Sequence, residues 1–478
     1  MAEPTRRIIL DGVEFSQIFR FPSLLGSCTA AFQPARLLLA LIMVMAVVTF
    51  GRFWDGATEP NVNPAGLLAG SWSIEDAQSI QPMLQEAMMT SYALGSEVPQ
   101  PPETWPTLHP GQVLESLRLG YRTRTSESQR ETDSDEAFLA TYAAVSQDAP
   151  LHVYEATAAQ LKHGFLRIVE GAMTLTSSEV LDGFKDLVAR LPVALWTGHK
   201  AFLISLTLVM LLVYIFGGGA LCRMSACRFA GGRRPGLDEA VDFALVHWIR
   251  IGIALMLPLI LMALLGAVIA GFGALMMAPV LDWAGGILYG FILLIGFALA
   301  FIMFGYATGF GMILPAVASE NCDAPDAVQK SLAFIYQKPL HLLGYLCVSL
   351  ISVLVGYLVV SLFAMVTLNV TASLFGWSSQ PALDGLGGIT WPGLEQREPS
   401  PWISGISSSS LMFWQSLVIG LVWAYIVSLL CDLSTRLFLL MRFSCDEQSI
   451  EEIWWPGMVP GTIGPQPTNE FEIRQDEA

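Results

Sequence analysis

The sequence predicts an all-α integral membrane protein with about six transmembrane helices, interfacial amphipathic helices, and a helical extracytoplasmic domain between the first and second spans. Three observations carry that prediction. Apolar residues make up 53% of the chain and charged residues only 14%, against about 25% charged in a soluble globular protein. The apolar residues fall in long runs without charge. Between the first two runs, residues 54–200 instead show charges and the three-to-four spacing of packed helices. The mean hydropathy is +0.54. The net charge of −16, from 25 basic and 41 acidic residues, argues against nucleic acid or any other polyanion as partner.

A spanning helix needs about 20 mostly apolar residues, because each rises about 1.5 Å through a hydrocarbon core about 30 Å thick. The first such run is 37–53, read as an uncleaved signal anchor because its apolar core begins late and no small-residue cleavage site follows. The second is Phe202–Leu221. The stretch Ile251–Ser319 has Asp282 as its one charge and is too long for one span, so it folds as a hairpin turning at Pro279, Asp282 and Gly285-Gly286. The fifth run covers about His341–Thr367 and the sixth about Leu411–Leu433.

Lysines and arginines near span ends set orientation. Arg6, Arg7, Arg20 and Arg36 precede the first span. Arg223, Arg228, Arg233 and Arg234 follow the second, and Arg250 opens the third. Lys330 and Lys338 precede the fifth, while Arg436 and Arg442 follow the sixth. All fall on one side if both termini are cytoplasmic in a bacterial inner membrane. The cysteines agree: Cys28, Cys222, Cys227, Cys322 and Cys445 lie on that reducing side, Cys347 and Cys431 lie in spans, and 54–200 and 368–410 contain none.

The domain plan follows. Residues 1–36 form a cytoplasmic segment whose stretch Ile8–Pro22 reads as an interfacial helix ended by Pro22. Residues 37–53 are the first span and 54–200 the extracytoplasmic domain. Residues 201–441 are a five-helix membrane domain, and 442–478 an acidic, flexible cytoplasmic tail with Trp454-Trp455 as a docking point. Within 54–200 stand 19 acids and 9 bases. Ser73, with Glu75 and Asp76, marks a helix start, as do Asp133 and Glu136. A break falls at Pro99–Pro106. Val180, Leu181, Phe184, Leu187, Val188, Leu191 and Leu195 form the strongest helical pattern, leading into the second span. The loop 368–410 is expected to rest Trp377, Trp391 and Trp402 on the outer leaflet.

Two sets of residues invite a metal by type but not by spacing. His152, Glu155 and His163 share a helical face, but the histidines are three turns apart rather than one. Cys222, Cys227, Cys322 and Cys445 lack a Cys-x2-Cys pair. Neither supports a metal, no Ser/His/Asp set is present, and no catalytic, cofactor-binding or metal residue is assigned. The spans themselves read as free of interior charge, with Asp432 and Arg436 as a pair at a span end and His341 and Arg250 as anchors. Gly286-x3-Gly290 and Gly305-x3-Gly309 in the fourth span, and Gly252, Gly266, Gly271 and Gly273 in the third, read as close-packing positions.

Residues 235–250 and 322–337 look like two copies of one unit. At an offset of 87, Ala240-Val241 match Ala327-Val328 and Leu245 matches Leu332. Each copy is a short amphipathic stretch between spans, expected as an interfacial elbow with its apolar face in lipid and Trp248/Arg250 or Tyr336/Lys338/His341 at headgroup level. Both copies keep one orientation, giving a parallel repeat. This pattern resembles the interfacial-elbow repeat of uncharacterised bacterial multi-pass membrane proteins and is similar to the membrane domain of glycerophosphodiester phosphodiesterases. The resemblance covers about 200–370 and implies architecture only, since the phosphodiesterase catalytic domain is not in this sequence.

These features lead to a functional expectation of a non-enzymatic scaffold or accessory subunit, without cofactor. Its partners are the lipid bilayer and a membrane or extracytoplasmic protein. The alternative is a permease-like transport component for an uncharged or lipidic substrate. A lipid-modifying enzyme using His199/Lys200, His247 or His341 is disfavoured, because these groups lie on opposite membrane sides.

Overall fold

The computed structural model describes residues 22–94, 108–126, 132–231, 235–276, 282–378, 389–396 and 405–465. Among the described residues helix dominates, and six helices are long and apolar enough to cross a membrane: Pro34–Ala57, Lys200–Gly231, Leu237–Ala274, Tyr289–Glu320, Pro339–Leu374 and Ser409–Asp446. The protein is therefore an all-α, multi-pass membrane protein. The N-terminal interfacial stretch 8–21, the Pro99–Pro106 break, the hairpin turn at Pro279 and Trp402 lie outside the described residues.

In chain order the helices are α1 (Pro22–Ala30), α2 (Pro34–Ala57), α3 (Ile74–Ser79), α4 (Gln81–Leu94), α5 (Pro110–Ser126), α6 (Thr132–Gln147), α7 (Val153–Met173), α8 (Ser177–Lys185) and α9 (Leu191–Gly198). They continue as α10 (Lys200–Val213), α11 (Gly219–Gly231), α12 (Leu237–Met276), α13 (Asp282–Glu320), α14 (Ala324–Gln337), α15 (Pro339–Ser378) and α16 (Gly405–Asp446). Two strands, β1 (Ile389–Thr390) and β2 (Glu395–Gln396), pair antiparallel. Pro22 begins a helix here, where the sequence reading has it end one. A 40-residue helix such as α12 or α15 is about 60 Å long, twice the hydrocarbon thickness.

The chain divides into two compact units. The first comprises 1–43, 211–356 and 424–478; the second comprises 44–210 and 357–423.

In the first unit the C-terminal part of α16 is buried nearly all round, from Ala424 to Arg442. Over its whole span window 56% of residues are buried, against 11–22% in the other five. The sixth span is thus a core helix. α10 runs into α11 through a π-helical turn at Tyr214–Gly218. There Gly217 lies directly under Met43, and a Cβ on Gly218 would come within 3.1 Å of Leu314. The glycine run permits close packing and does not unwind the helix.

The two elbow blocks differ in form. Residues 237–250 continue without a break into α12, so the first copy is the opening of a spanning helix. The second copy is a separate helix, α14. Pro339 lacks the amide a continued helix requires and disfavours helical geometry at the residue before it; Lys338 accordingly leaves the helix at φ −134°, ψ 66°. The apolar face of α14 also packs on protein rather than lipid. Ala327, Ser331, Phe334 and Ile335 are buried, Phe334 lies 5.8 Å from the Phe438 ring of α16, and Leu332 and Ile335 cover Gly305 and Gly309 of α13. Those two glycines are packing positions, as the sequence predicts. Gly266, Gly271, Gly273 and Gly290 face open space, and Gly252 meets only the tip of Ile215 within 4 Å.

The second unit has two apolar clusters. Leu84, Ala87, Leu108, Val113, Leu117, Phe138 and Val145 join α4, α5 and α6. Val62, Leu67, Val153, Ala156, Leu191, Leu195 and Phe202 join α7, α9 and α10 to the segment after α2. α3 begins with the expected cap: the Ser73 hydroxyl accepts from the Asp76 amide at 3.1 Å, and the Ser73 amide donates to the Asp76 carboxylate at 2.9 Å. The hydrogen bonds from Ser73 hold the Asp76 carboxyl below the usual range. The Asp133 and Glu136 side chains lie outside those described.

α7 starts against α2, where both Asp55 carboxylate oxygens accept amides, from Tyr154 at 2.9 Å and Glu155 at 3.1 Å. This cap satisfies two orphan donors and places negative charge at a helix N-terminus. Further along, Phe165 meets Tyr357 edge-on at 4.9 Å and Trp423 at 5.5 Å. The loop before α16 folds back on α15. Asn369 both donates to the Ile389 carbonyl (3.1 Å) and accepts its amide (2.9 Å), and the Trp391 indole donates to Ser361 at 3.1 Å. Trp391 is therefore tied to the helix. The expected single helix over 180–195 is instead α8, a π-helical turn at Asp186–Arg190, and α9.

α7 and α8 cross closely on glycines. A Cβ on Gly183 would lie 2.7 Å from the Gly164 carbonyl oxygen and 3.0 Å from the Ile168 amide nitrogen, both backbone atoms that cannot turn aside. Gly183→Ala should therefore lower the thermal unfolding midpoint in mild detergent by the equivalent of about 1–3 kcal/mol. Gly290→Ala, with open space around it, should be neutral or slightly stabilising.

Candidate functional site

The first unit holds charged side chains buried within the protein. In the first unit, Asp432 of α16 is 1% exposed and sits between two arginines. Arg36, at the start of α2, donates from Nη1 to Asp432 Oδ1 at 2.8 Å. Arg436, one turn along α16, donates from Nε to Oδ2 at 2.7 Å. Each carboxylate oxygen thus has its own guanidinium. Arg36 also donates from Nη2 to Ser225 of α11 at 2.5 Å, and Arg436 from Nη1 to the Ser23 carbonyl of α1 at 2.5 Å. The Arg436 guanidinium lies 4.8 Å from the Phe229 ring centroid, a cation–π contact. One carboxylate therefore ties α1, α2, α11 and α16 together. Asp432 and Arg436 are an i,i+4 pair as the sequence predicts, and both are buried within the unit.

A second carboxylate repeats the arrangement. Glu320 ends α13 and is fully buried. Arg442 of α16 donates to its Oε1 at 3.2 Å, and Lys330 of α14 to its Oε2 at 2.5 Å. Burial alone would lower the Lys330 pKa; the hydrogen bond and charge of Glu320 outweigh it and hold the ammonium above its usual range. Arg442 reaches on to the carbonyls of Ser449 (2.9 Å) and Glu452 (2.5 Å).

Those last bonds belong to a segment the sequence reading assigns to a flexible tail. Residues 447–465 are instead packed. Ile453 and Gly464 form a bridge, the Trp454 amide donates to the Ser319 carbonyl at 2.7 Å, and the Gly461 amide donates to the Glu320 carbonyl at 3.1 Å. Trp455 is 1% exposed. The tryptophan pair surrounds Arg223, whose guanidinium lies 5.4 Å from the Trp454 ring and 5.8 Å from the Trp455 ring. Arg223 also donates to the carbonyls of Ala318 (3.0 Å) and Trp454 (2.9 Å). The physical reason is the end of α13: its free carbonyls need donors, and the strap supplies them. The remaining residues, 466–478, lie outside those described.

The other sequence candidates do not converge. His152 precedes α7 and His163 lies in its middle. Among the described residues, no three His, Cys, Asp or Glu side chains gather as a metal site. All seven cysteines are free. Arg250 donates to both the backbone and side-chain oxygens of Asn321, at 2.9 and 2.6 Å, and approaches Asp323 at 3.4 Å. It acts as a brace for the turn before α14, where Asn321 takes φ +49°. Beside it a shallow groove of about 580 Å³ is lined by His247, Arg250, Ile253, Asp323 and Asp326.

Sequence reasoning missed Arg36, Glu320, Arg442 and Arg223 as core residues. Each flanks an apolar run of the sequence, where a lone charge resembles an interfacial anchor.

Asp432→Asn should strand Arg36 and Arg436 in the core and cost about 3–5 kcal/mol, read as a lowered unfolding midpoint and reduced yield of folded protein. Burial, with Glu320 nearby, pushes the Cys322 thiol up to about 12. In mild detergent near neutral pH, N-ethylmaleimide should therefore leave Cys322 unmodified until the protein unfolds.

Compared with known protein families, curated proteins and solved structures, the chain matches none of them.

Proposed function

We propose that this protein is a non-enzymatic scaffold or accessory subunit of a membrane complex, resident in a bacterial inner membrane with both termini cytoplasmic and residues 54–200 extracytoplasmic. The observation that supports this reading is the use made of the buried charges. Asp432 and Glu320 have each carboxylate oxygen engaged by a basic side chain. These bonds hold helices to one another, which suits a rigid platform. An ion path or coupled carrier instead keeps a charged group poised to exchange partners. The orientation draws on the basic residues at the span ends and on the cysteine distribution. The partner surface would be the helical domain 54–200, with its excess of acids over bases, or a neighbouring membrane protein.

A second reading, a permease-like component for an uncharged or lipidic substrate, draws on the groove beside Arg250. Its lining combines Val246, Ile249 and Ile253 with charged groups, a mixture that suits an amphiphile.

Extraction of the full chain into native-lipid nanodiscs, followed by mass spectrometry of what co-purifies, separates the two. A protein partner at fixed stoichiometry is the expected result. A chain that emerges alone, with one lipid species enriched, would sink the scaffold reading in favour of the second.

A further inference from the structure

The strongest helical pattern in the sequence, over 180–195, is divided by the structure into three sectors. One sector faces the protein. Val180 packs over Gly171, Leu187 covers Gly164, and Leu191 and Leu195 join the apolar cluster with Phe202. A second sector is ionic. Arg167 of α7 bridges Glu179 (2.9 Å), Asp182 (3.6 Å) and Asp186 (2.9 Å), and Arg190 adds a 2.6 Å bond to Asp186. The third sector is apolar and points outward. Leu181, Phe184 and Val188, at i, i+3 and i+7, are 57%, 56% and 59% exposed.

Two further residues extend the third sector. Leu175, in the turn between α7 and α8, is 91% exposed and takes φ +55°. Glycine or asparagine is usual at such a left-handed position after a helix. A leucine there gains nothing by facing water. Trp196 of α9 is exposed on the other side of the π-helical turn, and the Lys200 ammonium lies 5.7 Å from its ring centroid. Tryptophan and lysine at the start of a spanning segment hold it at headgroup level.

The position of this surface decides what covers it. One residue, His199, separates α9 from α10, and α10 is the first part of a spanning segment that begins at Lys200. The amphipathic segment 177–198 therefore enters the membrane directly and belongs to the layer where headgroups meet acyl chains. Burial lowers the His199 pKa, so the connecting residue is uncharged at neutral pH and can sit at that depth.

The geometry points to 177–198 as a monotopic membrane-contact element. The face made by Leu175, Leu181, Phe184, Val188 and Trp196 lies in the leaflet next to the start of α10, and the Arg167 ion network faces water. The occupant of this surface is phospholipid: acyl chains against the apolar residues, and headgroups beside Lys185 and Lys200. This fits an interfacial helix, which buries its apolar face about 5–10 Å into the headgroup boundary. The element does not depend on whether the protein is a scaffold or a permease, because it follows from packing and connectivity within one unit.

The test is spin-label accessibility in the full chain, purified alone and reconstituted into liposomes of phosphatidylethanolamine and phosphatidylglycerol. The background carries Cys28→Ser, Cys347→Ser and Cys445→Ser, which removes the exposed and half-exposed thiols. Single labels are placed through Leu181→Cys, Phe184→Cys, Val188→Cys and Asp182→Cys. At 181, 184 and 188 the ratio of oxygen to nickel-complex accessibility should exceed that at 182 by several-fold. Equal ratios at 184 and 182 would overturn the proposal. So would water-like ratios at all three apolar sites that fall only when a co-purified protein is added, which would assign the face to that protein. The exposed positions tolerate cysteine without repacking, so a misfolded variant would show as loss of the size-exclusion peak and be replaced by its neighbour in the stripe.

Discussion

The carboxylate of Asp432, held between Arg36 and Arg436, is the constraint on which the first unit depends. In a low-dielectric core an unpaired charge costs several kcal/mol, so each of the three groups requires the other two. The two bonds to Asp432 and the onward bonds to Ser225 and Ser23 fix α1, α2 and α11 on α16 in one register. A well-packed apolar cluster of similar volume would match or exceed the net stability. It would also tolerate sliding of one helix past another, which a two-sided carboxylate clamp does not. The buried charge here selects an arrangement more than it stabilises one.

Glu320 applies the same device to α13, α14 and α16, and a backbone strap closes it. Glu320 lies at a helix end, where free carbonyls already demand partners. The arginines answer several demands at once: Arg442 serves a carboxylate and two carbonyls, and Arg223 serves two carbonyls while stacking on aromatic rings. A lysine could not reproduce that planar, multi-donor geometry.

The spans were legible in the sequence because hydrophobic length in a bilayer has few alternative meanings. All six apolar runs became helices, and Gly305 and Gly309 became packing positions. What the sequence hid was pairing over distance. Arg36 and Asp432 are 396 residues apart, and nothing local distinguishes a core arginine from one that marks a membrane surface. The two elbow blocks look alike over 240–245 and 327–332, yet Pro339 breaks one and no comparable residue breaks the other. Trp454 and Trp455 sit among prolines and acids, a composition that suggests a flexible tail. Their burial arises from the end of α13 and from Arg223, both far away in sequence. The apolar set over 180–195 was read correctly as helical, but periodicity alone could not say that it serves two opposed faces.

The clamp also bears on how the protein is made. A ribosome releases α2 into the bilayer long before α16 exists, so Arg36 enters the membrane with its counter-charge still to be synthesised. Until the sixth span arrives, that guanidinium lacks the carboxylate it pairs with in the folded unit, although Ala30 and Ser225 are already made. Asp432, and after it the strap at 447–465, come last in the chain, so their bonds to Arg36 and to the end of α13 can form only when synthesis is nearly finished. The first span is thus tied to the last, and a chain that lacks α16 leaves Arg36 without its counter-charge.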